Sequence, residues 1–127
     1  MKKNLIVIIM YLFSSQIVFA AHIYLEKDYQ YAWSRRNNGM VEYVLPDSTR
    51  VDCVTRDYAI EFDFAKKWEE SIGQALYYGL VLHKKPGVVL ILEHPLSDQK
   101  YLVRLNAVAK QYGITVWTIT PAYLAQK

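Results

Sequence analysis

The chain has 127 residues, one cysteine, and 15 lysines and arginines against 12 aspartates and glutamates, for a formal charge of +3. That length accommodates one compact domain rather than two, and a single cysteine excludes an intrachain disulfide. The near balance of charge excludes a strongly basic surface that would bind nucleic acid by counterion release alone, so phosphate contacts would fall to local pairs such as Lys66 and Lys67 or Lys84 and Lys85.

Lys2, Lys3 and Asn4 precede an apolar run over residues 5–13, and SSQIVFA then leads to Ala21. A basic end, an apolar middle and small residues before a cut predict a secretory signal peptide over residues 1–20, and hence export to the periplasm or the medium. An uncleaved leader acting as a membrane tether is the alternative. Residues 21–127 read as a single domain with no linker or repeat, and its charge falls to +1 once Lys2 and Lys3 leave with the leader.

Residues 22–38, HIYLEKDYQYAWSRRNN, predict a helix stopped by Asn38 and Gly39, with Leu25, Tyr29 and Trp33 as its core stripe. MVEYVLP, residues 40–46, alternates as a strand on which Glu42 and Val44 share a face, and Pro46, Asp47 and Ser48 supply the turn after it. RVDCVT and YAIEFDF alternate in the same way, with Arg56 and Asp57 between them, which is the signature of a hairpin. Cys53, beside Val51 and Val54, reads as a small buried hydrophobe.

After Asp63 the spacing predicts a helix with two neighbouring stripes, a polar one of Lys67, Ser71, Gln74 and Tyr78 and an apolar one of Trp68, Ile72, Ala75 and Gly79. Pro86 and Gly87 are expected to break the chain before VVLILE, an apolar run that reads as a strand buried on both faces. Glu93 and His94 close that run, and both His83 and His94 read as loop residues. Residues 97–112 have helical spacing ended by Gly113, and ITVWTIT follows as a last strand. The order is helix, three strands, helix, strand, helix, strand, which predicts an α/β (α+β) domain with a mixed central sheet flanked by helices.

Glu61 and Asp63 are two residues apart on a strand and so share a face, while Ile60 and Phe62 point the other way into a core. With Asp52 on the preceding strand, two or three carboxylates converge beside a buried sheet. Such a group is relieved by a shared proton or a bound cation, and all-oxygen ligands suit magnesium or manganese. Lys67 on the next helix is placed to reach the carboxylates.

These residues resemble the pattern of the PD-(D/E)xK nuclease superfamily, which includes restriction endonucleases and Holliday-junction resolvases. Asp52 matches the acid of the family's second core strand, Glu61 the first acid of the third, and Gln74 with Tyr78 the glutamine and tyrosine of the following helix. Asp63 stands where the family has its strand lysine, and Lys67 is the candidate for a lysine that has moved to the helix. The resemblance covers most of the chain after the leader. It implies a restriction endonuclease-like αβββαβαβ fold and metal-dependent phosphodiester hydrolysis, with DNA as the partner.

By that resemblance Asp52 and Glu61 would hold one or two magnesium ions, or manganese in their place, with Asp63 as a further metal ligand or the cap of the helix. Lys67 would stabilise developing charge or orient water, and Gln74 and Tyr78 would position the water or the phosphate backbone. Glu26 corresponds by position to a first-helix acid that some members use near the metal. Glu42 reads either as a fourth carboxylate near the site or as an exposed strand residue, and Arg50 as the partner of a carboxylate or of phosphate. Two other readings stay open, namely a catalytically degenerate nuclease-fold binding module and a secreted domain in which the carboxylates bind a cation for stability.

Overall fold

A computed structural model describes residues 21–126, and the expected leader lies outside the described residues. Five strands form one sheet in chain order, β1 (Met40–Val44), β2 (Arg50–Val54), β3 (Tyr58–Phe64), β4 (Lys85–Ile91) and β5 (Thr115–Ile119). The first three are antiparallel neighbours, and β3, β4 and β5 run parallel. Around the sheet are α1 (Glu26–Arg36), α2 (Trp68–Leu82), α3 (Pro95–Tyr112) and a short α4 (Pro121–Ala125). The expected mixed sheet flanked by helices, in the order αβββαβαβ, is therefore present, with α4 added at the end. No helix among the described residues is long and apolar enough to cross a membrane.

Alternation along β3 splits the core in two. Ile60 and Phe62 join Tyr29 and Trp33 of α1, Cys53 of β2, and Val89, Ile91 and Ile119 of the parallel strands. On the opposite face, Val88, Leu90, Ala75, Leu105 and Ala109 pack the sheet against α2 and α3. The central strands β3 and β4 are buried almost throughout, as expected where helices cover both faces. Cys53 is fully buried, in agreement with its reading as a small hydrophobe.

Several boundaries differ from expectation, each for a local reason. The first helix begins at Glu26 rather than residue 22, because Asp28 folds back to accept the Leu25 N–H at 2.9 Å and fixes the start there. Leu25 is therefore outside the core stripe and 70% exposed, and the buried face of α1 is Tyr29, Gln30, Trp33 and Ser34. Pro86 and Gly87 do not break the chain but lie inside β4. The strand there starts with the Lys85 N–H donating to the Asp57 carbonyl, so the missing Pro86 N–H falls at a strand beginning, where proline is tolerated. Gly87 also leaves room for Trp117, whose ring would lie 2.7 Å from a Cβ at that position.

Between β3 and α2 the chain makes a 3-10 turn, Ala65–Lys67. Lys67 belongs to this turn and not to the helix, and Asp63 does not cap it, since the residue at the cap position is Phe64 and no side chain bonds the turn. The stripes expected on α2 are also divided differently. Ser71 and Tyr78 are buried along with Ala75 and Gly79, whereas Gln74 is exposed.

Candidate active site

The site begins with a defect in the sheet. The β1–β2 ladder pairs Met40 with Val54 and Val41 with Cys53, then Tyr43 with Val51 and Val44 with Arg50, and omits Glu42 and Asp52. Glu42 has a φ of 56°, a backbone conformation costly for a side chain with a Cβ. It does not share the regular face with Val44 that alternation would give it. Its carboxylate instead meets Arg50 Nη1 at 3.1 Å, so the carboxylate-pairing reading of Arg50 holds.

The β2–β3 ladder likewise pairs Cys53 with Ile60 and Val54 with Ala59 but not Asp52 with Glu61. Side chains replace the missing rungs. Asp52 Oδ2 accepts the Phe62 N–H at 2.8 Å, and Glu61 Oε1 accepts the Asp52 N–H at 3.4 Å. Two carboxyl groups are thereby held across a gap between splayed strands, each retaining an oxygen that no backbone donor occupies.

Burial and mutual repulsion make this an unusual group of acids. Desolvation raises the Asp52 carboxyl above its ordinary range. Glu61, only 3% exposed, is pushed up further by burial and then by the neighbouring Asp52. Burial, followed by Glu26, Glu70 and Asp52, lifts Asp63 to about 7 while Lys67 opposes the rise. Burial and then Asp52 lift Glu26 to about 7 as well, opposed by Lys67 and Gln30. Four carboxyls from α1, β2 and β3 are thus electrostatically linked, Lys67 is the cation that opposes the shifts of Glu26 and Asp63, and Lys67 forms no ion pair within 4.0 Å among the described residues.

The sequence-derived set is accordingly brought together in part. Asp52 acts on Glu26, Glu61 and Asp63, Lys67 acts on Glu26 and Asp63, and Glu42 adds to the repulsion on both Asp52 and Glu26. Tyr78 is buried beside them, its hydroxyl pushed up by burial and then by Glu61 and Asp52. Gln74 is exposed on α2 and makes no hydrogen bond among the described residues. Glu93 lies apart from the acids, holding His22 Nδ1 at 2.6 Å and accepting the Ile23 N–H.

One residue went unnoticed in the sequence. Gln30 is 3% exposed and donates from Nε2 to Glu26 Oε1 at 3.1 Å, while its Oε1 is buried with no hydrogen-bond partner among the described residues. Its signal was the four-residue spacing from Glu26, which places the amide one turn further along the face that carries the acid.

Whether these residues suit a metal ion turns on the donor set. Among the described residues no three histidine, cysteine, aspartate or glutamate side chains are arranged to hold an ion by themselves. Magnesium does not require that, since it keeps several waters and is bound through one or two carboxylates together with substrate phosphate. Asp52 and Glu61, each held by a backbone N–H and short of positive charge, are hard-oxygen donors of this kind. The residues fit such an ion.

No family model matches the chain, and no solved structure matches it. It is similar to the KilA-N domain-containing protein L32 of Acanthamoeba polyphaga mimivirus, at 27% identity over 94 residues. The match covers 74% of this chain and 24% of that protein, so the chain spans a small part of its relative.

Proposed function

We propose that the domain is a metal-dependent nuclease of the PD-(D/E)xK type, acting on nucleic acid, with DNA as the expected substrate. The observation that carries this reading is the gathering of Glu26, Asp52, Glu61 and Asp63 from three elements around Lys67, in a domain with the αβββαβαβ order. The similarity to a KilA-N domain-containing protein is compatible with nucleic-acid binding.

In this reading Asp52 and Glu61 would hold a magnesium or manganese ion, with Asp63 as a further oxygen donor. Such an ion, when bound, neutralises phosphate charge and lowers the pKa of a coordinated water. The chain supplies the rest. The splayed β2–β3 pair fixes the two carboxylates through backbone N–H groups, and Gln30 fixes Glu26 against them. The Lys67 ammonium, free of an ion pair among the described residues, stands beside the acids to stabilise negative charge that develops on phosphate. Tyr78 bounds the site from α2.

Asp63 in place of the strand lysine favours a second reading, a nuclease-fold module that binds without cutting. Incubating linear DNA, circular DNA and RNA with the full chain in magnesium, manganese or chelator, alongside Asp52→Asn and Glu61→Gln, separates the two. Cleavage that requires both the cation and the carboxylates supports the nuclease. Binding that survives both substitutions, without cleavage in any cation, replaces it with the binding module.

A further inference from the structure

A cavity of about 200 Å³ opens at the carboxyl ends of the parallel strands β3 and β4, walled by Phe64 and Ile91 and lined also by Lys66, Lys67 and His22. Ligands of open α/β sheets bind in this position, outside the carboxyl ends of the strands. The His22 ring lies flat on Phe64, with centroids 3.7 Å apart and planes 6° from parallel. Glu93, which also lines the cavity, is already engaged by His22 and the Ile23 N–H. The rest of the lining is mostly apolar and aromatic, with Lys66 and Lys67 and the buried Asp98, whose carboxylate is engaged by the His94 N–H at 2.9 Å.

Lys67 belongs to both features, lining this cavity and bordering the acid cluster. A phosphate held near Lys67 at the acids would place the adjoining base within reach of the cavity. At about 200 Å³ the space is smaller than a drug-sized pocket and takes one ring system rather than a base pair. A flat, sequence-tolerant π-surface with lysines beside it is how proteins hold single-stranded nucleic acid.

We infer that this cavity receives one unpaired nucleobase next to the phosphate at the acid cluster, so that the substrate is single-stranded, frayed or flapped nucleic acid rather than intact duplex. The inference rests on the nuclease-site reading for the position of the phosphate, but base capture can be measured without cleavage.

The test uses the full chain with a short single-stranded DNA carrying one 2-aminopurine, and with the same strand in a blunt duplex, in calcium and in chelator. Cleavage of unlabelled DNA in magnesium is followed in parallel. The fluorescence of the single strand should change on binding and that of the duplex should not. His22→Ala should weaken binding about tenfold or more, the scale of losing one stacked base, while His22→Phe, which keeps a ring on Phe64, should restore it. Lys66→Ala should weaken binding less and make it less steeply dependent on salt. Melting curves confirm that each variant is folded. Equal binding by wild type and His22→Ala, or equal binding of single strand and blunt duplex, overturns the cavity assignment. If cleavage persists in that case, the nuclease reading stands. If the fluorescence responds as expected but no condition gives cleavage, the nuclease reading falls and the base site remains.

Discussion

The Asp52 carboxylate accepts the Phe62 N–H while the Glu61 carboxylate accepts the Asp52 N–H, so these two residues substitute side chains for the ladder rungs that β2 and β3 do not make. The sheet opens at the point where the two acids face each other. A fold seeking stability alone would place neutral groups there, because burial shifts both carboxyls upward.

Glu61→Gln tests whether the arrangement serves function at the expense of stability. The amide oxygen keeps an acceptor for the Asp52 N–H and removes the repulsion between the carboxyls. The melting temperature at pH 8 should stay the same or rise, as is common when a destabilised site is neutralised. Cleavage should fall at least about a hundredfold, the scale on which one lost electrostatic partner acts. A variant that melts several degrees lower and still cuts would assign Glu61 to structure.

The pH dependence of stability follows from Asp63 and Glu26, both lifted to about 7 in the folded chain. Unfolded, they lose their protons in the ordinary carboxylate range near pH 4. Between those values the folded state holds more protons, so its stability is fully present below the unfolded pKa and is lost as pH rises through about 7. Thermal unfolding should therefore occur at lower temperature at pH 8 than at pH 5. Magnesium or manganese should recover part of the loss at pH 8 and little at pH 5, where protons occupy the same groups. A melting temperature that is flat or rises over this interval would contradict the clustering of these acids.

Much of this was legible in the residues. Alternation in RVDCV and YAIEFDF marked β2 and β3, and the two-residue spacing of Glu61 and Asp63 put them on one face. The ends of elements differed where a single hydrogen bond decided the outcome, as with Asp28 on the Leu25 N–H at the start of α1. Gln30 was hidden because the pattern Leu25, Tyr29, Trp33 is a good helical stripe, yet the helix rotates by about one residue to bury Tyr29, Gln30, Trp33 and Ser34. Gln74 had the spacing but not the geometry. The helix starts only at Trp68, so Lys67 lies off the register from which its stripe was drawn.

Lys67→Ala should separate electrostatics from folding. The side chain is exposed and unpaired among the described residues, so the melting temperature at pH 5 should change little, as for most surface substitutions. Removing the cation that opposes the upward shifts of Asp63 and Glu26 should move the stability loss to higher pH. Cleavage should fall roughly ten- to a hundredfold, with Lys110→Ala on α3 as the control that leaves both profiles in place. An unchanged pH profile with full cleavage would remove Lys67 from the site.

Gly39 offers a test of the packing that supports β2. A Cβ at this position would lie 2.3 Å from Cys53 Sγ, too close for any real contact, although Gly39 itself has no positive φ. The Gly39 N–H also donates to the Ser34 carbonyl at 2.8 Å, fixing the turn from α1 into β1. Gly39→Ala should cost about 1–3 kcal/mol through overpacking rather than backbone strain. Cys53→Ala alone should cost about 1 kcal/mol for the small void it leaves. Combined, the added methyl enters the space that the sulfur vacates, so the double variant should lie closer to wild type than the sum of the two losses. Denaturant unfolding of the four proteins measures the coupling. Strict additivity would mean that Gly39 and Cys53 do not touch, and would displace α1 and the start of β1 from the face of β2 on which Asp52 depends.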